Sequence, residues 1–200
     1  MRLGGIDNGA SYGFIDEDDI NLSVAFYLDY ELRLCLLGAT TSFSPGQTNI
    51  TTRGITTVLT RERDEYVSLY RRSALANIEK PDLFVSIHCD AWHNVTTSGM
   101  TIHVHPNASL NSRLAAKQIE NQLKTQFPDH LYRGIKESNF HVLRETKCPA
   151  ILCEIEFLSC QNPSIREFLK EAENQRRMAR ALKLGIVNYL QELKNENKKL

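Results

Sequence analysis

Apolar positions along this chain recur in two periods, and the periods divide it into helices and strands before any chemistry is considered. Ile20, Val24, Leu28, Leu32 and Leu36 fall every four residues and predict a helix over residues 17–36. Steps of three and four in Val67, Tyr70, Ala74 and Ile78 predict a helix over 64–78. Leu110, Leu114, Ile119 and Leu123 predict another over 110–124, with Ser109 as its cap. Met178, Leu182, Ile186 and Leu190 predict a last one over 173–193, and Asn162-Pro163 has the form of a short helix start. Short β-branched or apolar runs predict strands at 55–60, 83–88, 100–105, 140–144 and 150–153. Alternation within 100–105 sets Ile102 and Val104 on one face and His103 and His105 on the other. Histidines two apart on a strand can share a metal, but on a strand with one wet face they are more often polar surface. Residues 4–14, 38–54, 89–99 and 127–139 follow neither period and read as loops, 38–54 as an exposed insertion.

The order is helix, strand, helix, strand, strand, helix, strand, strand, helix. It predicts one three-layer α/β domain, a mostly parallel twisted sheet flanked by helices. The domain is assigned to residues 1–193, and the charged residues 194–200 form a C-terminal tail.

Composition narrows the function. Lys+Arg and Asp+Glu balance at 24 each, so no global field recruits nucleic acid or an acidic membrane surface. No stretch approaches the roughly 18 apolar residues of a membrane span. The first residues have no apolar run of signal-peptide type, which predicts a protein made in the cytoplasm that reaches targets outside only after release or lysis. The five cysteines are odd in number and form no C-x-x-C pair. Free thiols are therefore expected, rather than a disulfide framework or a cysteine zinc site.

Two of the apolar strands run into ionisable side chains, His88 and Glu154. In open α/β sheets, ligands bind beyond the carboxyl ends of strands. A histidine at such an end is nonetheless often satisfied by backbone partners alone. Residues Asp16, Glu17, Asp18 and Asp19 stand at the start of the first helix, where carboxylates cap free N–H groups and complement the dipole. That role suffices for three of them. Glu17 has a second possible use, because hydrolytic zinc sites take three N or O protein ligands and leave the fourth position to water. A nearby carboxylate that is not a ligand then moves the proton. Glu17 and His88 suit the ligand role and Glu154 the base, although their spacing is no compact motif such as H-E-x-x-H.

Several segments occur in one order: Gly4-Gly5-Ile6-Asp7-Asn8-Gly9-Ala10, Glu17-Asp18-Asp19-Ile20-Asn21-Leu22, Leu59-Thr60-Arg61, Val85-Ser86-Ile87-His88-Cys89-Asp90-Ala91, Arg133-Gly134-Ile135-Lys136, Val142-Leu143-Arg144 and Pro149-Ala150-Ile151-Leu152-Cys153-Glu154. Together they resemble the catalytic domain of zinc-dependent N-acetylmuramoyl-L-alanine amidases, found in cell-wall hydrolases and phage endolysins. The resemblance spans almost the whole chain. It implies cleavage of the amide between N-acetylmuramic acid and L-alanine in peptidoglycan. It also implies Zn2+ on Glu17 and His88, with Glu154 activating water. Glu156 stands where the family usually has Gly.

The departure is at the N-terminus. The alignment puts Leu3 at the first zinc-binding His, and the family's first strand has no counterpart. A late start or an altered 5′ end accounts for both. His93, or less conveniently His103 or His105, is the alternative third ligand. A catalytically impaired homologue that binds peptidoglycan without cutting it is the alternative function, and a metallopeptidase of similar build a more distant one. Loss of that strand is expected to leave a neighbouring strand edge unpaired. With no export signal and no separate wall-binding module, a phage or prophage lysin fits better than a secreted host enzyme.

Overall fold

A computed structural model describes residues 11–12, 15–34 and 55–197. The elements are β1 (Ser11–Tyr12), β2 (Ile15–Asp16), α1 (Glu17–Leu34), α2 (Leu69–Glu79), β3 (Phe84–Asp90), β4 (Met100–Val104), α3 (Leu110–Gln126), β5 (Tyr132–Glu137), α4 (His141–Glu145), β6 (Ala150–Phe157), α5 (Pro163–Lys170) and α6 (Ala172–Asn197). The first-strand question, Leu3 and the 38–54 insertion lie outside the described residues.

Strands β3, β6, β4 and β5 form one open sheet in that order, and β1 and β2 form a small antiparallel ribbon. The β3–β6 and β4–β5 pairs are parallel, and the central β4–β6 pair is antiparallel. The sheet is thus mixed with parallel pairs in the majority, as the element order predicts. All eight residues of β6 are buried, which is why its sequence is continuous rather than alternating. Ile151, Cys153 and Ile155 face a large core shared with Val24 of α1, Ile119 of α3 and Leu182 of α6. Ala150 and Leu152 face a smaller cluster with Ala76 of α2 and Val142 and Leu143 of α4. Helices therefore cover both faces.

The helix caps follow the sequence. Ser109 accepts a hydrogen bond from the Ser112 N–H, and Asn162 accepts one from Ser164 N–H. The four described cysteines are free.

Several expectations change. Residues 127–139 hold β5, an edge strand whose Arg133, Lys136 and Glu137 hide its strand character; charged edges of this kind resist pairing with other chains. Residues 140–144 are not a strand: α4 forms there, a run too short for periodicity to distinguish the two, and it buries Val142 and Leu143 side by side. Strand β4 has no wet face. All five of its residues are buried between β6 and β5, and His103 packs on Phe140 and hydrogen-bonds Ser138 Oγ at 2.7 Å. Both strands of the site run past the residue expected to end them, β3 to Asp90 and β6 to Phe157. Helix α6 also continues through Lys194 to Asn197, into the segment assigned to the tail. No strand forms at 55–60. Among the described residues no strand ladders with it, and this segment and β3 line one cavity of about 740 Å3.

Candidate active site

The parallel register of β3 and β6 sets His88 directly beside Glu154. The N-terminus of α1 delivers Glu17 to the same place: its Oε1 meets His88 Nδ1 at 2.9 Å and accepts hydrogen bonds from Cys89 N–H at 3.3 Å and Asn21 Nδ2 at 3.1 Å. Asn21 is one helical turn after Glu17, so both side chains share the face turned to β3. Ser86 Oγ lies 3.0 Å from His88 Nε2. The imidazole is thus held at both nitrogens, an arrangement that fixes its plane.

Glu154 is buried, and its Oε2 has no hydrogen-bond partner. Its carboxyl is pushed up to about 8, first by burial and then by the negative charges of Asp90 and Glu17. Thr101 opposes Glu154 across the antiparallel β4–β6 ladder, and its buried hydroxyl is also without a partner. Residues opposed in a ladder point to one face, so two unpaired oxygens sit side by side on the sheet next to His88. A carboxyl perturbed by burial and like charge, with an unspent oxygen, is a candidate for proton transfer.

The structure therefore brings Glu17, His88 and Glu154 together from three distant parts of the chain. The other histidines stay apart from them. His93 is exposed and packs on Trp92 with ring centroids 4.6 Å apart. His103 is committed to Ser138, and His105 Nδ1 accepts the Asn107 N–H at 3.1 Å. Among the described residues, no three His, Cys, Asp or Glu side chains form a group able to hold a metal ion. Glu17 and His88 supply carboxylate oxygen and imidazole nitrogen, donors that suit zinc, but they are one short of the three that a hydrolytic site uses.

Sequence reasoning missed the supporting residues. Asn21 and Ser86 could have been found from their spacing, four residues from Glu17 and two from His88. Thr101 could not, because only the β4–β6 register identifies it. Glu156, flagged as a departure, is fully enclosed: Oε2 accepts Gly99 N–H at 2.6 Å and Phe157 N–H at 3.0 Å, and Oε1 meets His130 Nδ1 at 3.3 Å. It ties the end of the loop leaving β3 to β6.

Known proteins are similar in both sequence and fold. A family profile described as N-acetylmuramoyl-L-alanine amidase matches residues 46–188. The crystal structure of N-acetylmuramoyl-L-alanine amidase from Clostridium difficile 630 superimposes with a TM-score of 0.80 at 30% identity, covering 94% of this chain and 92% of that one. Bacillus subtilis YqiI is 30% identical over 93% of this chain and 80% of its own length. N-acetylmuramoyl-L-alanine amidase LytC of the same species is 28% identical over 92% of this chain, which spans only 33% of LytC. On profile, sequence and superposition together, the chain belongs to the N-acetylmuramoyl-L-alanine amidase family, a family of enzymes of cell-wall amide hydrolysis.

Proposed function

We propose that this chain hydrolyses the amide between N-acetylmuramic acid and L-alanine in peptidoglycan, with Glu154 moving the proton and zinc on Glu17 and His88. The observation that carries the reading is the buried Glu154 carboxyl, its Oε2 without a hydrogen-bond partner, beside the His88–Glu17 pair. Amide hydrolysis requires a proton to leave the attacking water and another to reach the departing amine. Glu154 can do both in turn, taking a proton as carboxylate and giving it as acid. Glu17 and Ser86 hold the His88 ring in one orientation, and Asn21 and the Cys89 N–H hold Glu17. A zinc ion at this pair would supply Lewis-acid polarisation of the scissile carbonyl and of water. Among the described residues no helix is long and apolar enough to cross a membrane; action as a lysin released at lysis agrees with that.

The test is release of L-alanine amino termini from purified sacculi, with zinc content measured on the same preparation. Glu154→Gln should lower turnover by about 100-fold or more and leave the fold and zinc content unchanged. Undiminished turnover in this variant would sink the reading.

A second reading rests on its own observation: the described donors number two, and Leu3 stands where the resemblance expects the third. An alkyl side chain has no lone pair, and losing a ligand weakens a metal site substantially. An impaired, peptidoglycan-binding homologue would purify with little zinc and release no L-alanine termini. Tighter zinc binding in Leu3→His would then locate the defect.

A further inference from the structure

One row of residues runs across the sheet at the site. His88 on β3 opposes Glu154 on β6, and Glu154 opposes Thr101 on β4. Both outer ladders change register at this row. His88 pairs with Glu154 but Asp90 pairs with Phe157, so Ile155 and Glu156 together face Cys89. Met100 pairs with Tyr132 but Ile102 pairs with Ile135, so Arg133 and Gly134 together face Thr101. Gly134 has φ 93°, a conformation open to glycine and common where a strand carries an extra residue. Bulges re-aim the side chains beside them, and these two bracket Glu154 and Thr101.

Thr101 Oγ1 and Glu154 Oε2 are both enclosed and both without a partner. Folded proteins seldom leave such groups unserved. The neighbouring polar groups are already committed. His88 is held by Glu17 and Ser86, His103 by Ser138, and Glu156 by Gly99, Phe157 and His130. What each of the two oxygens lacks, the other supplies: the hydroxyl is a donor and the carboxyl oxygen an acceptor. Directly opposed residues of an antiparallel pair hold their Cβ atoms about 4.5–5.5 Å apart, so the torsions of the Glu154 side chain span the gap.

We infer that Thr101 is a positioning residue for Glu154: its hydroxyl donates to Oε2 and so turns the other carboxyl oxygen to the reacting water. The contact serves both states of the carboxyl, because Oε2 accepts whether or not the other oxygen carries a proton. Its consequence for turnover rests on the reading of Glu154 as the proton-transferring group. The contact itself rests on the ladders alone.

A double-mutant cycle in the full chain reads the contact without turnover. Thr101→Val removes the hydroxyl at nearly constant shape, and Glu154→Met removes the carboxyl at nearly constant length. Thr101→Val should lower Tm by about 2–4 °C in the unmodified background, and should leave it unchanged or raise it in Glu154→Met, where the hydroxyl has nothing to serve. An equal change in both backgrounds, or a rise in both, overturns the contact. On purified sacculi, Thr101→Val should lower kcat by about tenfold or more with KM little changed, and Thr101→Ser should recover most of kcat. Undiminished kcat in Thr101→Val, equal losses in the Val and Ser variants, or an effect confined to KM overturns the positioning role. If the unmodified chain releases no L-alanine termini, the reading of its function falls, and the cycle still upholds or overturns the contact.

Discussion

In the metal-free fold Glu154 is biased towards its protonated form by burial and by the charges of Asp90 and Glu17. Its folded pKa of about 8 lies above the ordinary 4.5, so the native chain holds a proton that the unfolded chain releases. The stability associated with that proton is present below pH 4.5 and is lost as pH rises through 8. At about 1.4 kcal/mol per unit, Glu154 should cost the metal-free chain up to roughly 5 kcal/mol between those limits. Urea unfolding from pH 5 to 9 should show this loss, and Glu154→Gln should flatten it. A slope unchanged in the variant would assign the pH dependence elsewhere. Glu156, also buried, has both of its oxygens in use. Glu156→Ala would leave the Gly99 N–H enclosed without an acceptor, at a cost of about 1–3 kcal/mol, measurable as a shift in urea midpoint. His103 shows what sequence could not foresee here. Its alternation with Ile102 is legible, but that both faces of β4 are covered is not, and burial lowers its pKa to about 4.

At the scale of elements, long periodic helices were readable and short pieces were not. α3 and α6 carry several turns of apolar spacing, so their identity survives any packing detail. α4 and β5 have five and six residues, and whether such a run coils or extends is decided by what it lies against. At Gly185, α6 approaches the backbone of α3 closely. A Cβ on Gly185 would sit 2.6 Å from Ile119 Cα and 2.9 Å from its backbone nitrogen. Alanine is a better helix former by about 1 kcal/mol, but backbone cannot yield as a flexible side chain does. Gly185→Ala should therefore lower stability by about 1–3 kcal/mol, seen as a drop in Tm. An unchanged or higher Tm would mean the two helices separate freely.

For the whole molecule, the sheet order places β6 at the centre of everything else. It pairs with β3 and β4, is buried on both faces, and carries Glu154. Its amides should exchange only through global unfolding, whereas β5 and the β1–β2 ribbon should open at lower free energy. Protection of β6 no greater than that of β5 would contradict this hierarchy. Among the described residues the same order leaves β3, the strand carrying His88, at one end of the sheet.

The sequence by itself determined the class of fold, the long helices and their caps, and the identity of the three candidate site residues. Periodicity, capping and ordered motifs are local properties, and each is complete within a few turns of chain. Only the tertiary structure decided that Glu17 touches His88, that Thr101 stands opposite Glu154, and that Glu156 is spoken for. Those facts depend on strand order and register, and register arises from contacts between segments far apart in the chain. No local pattern carries that information.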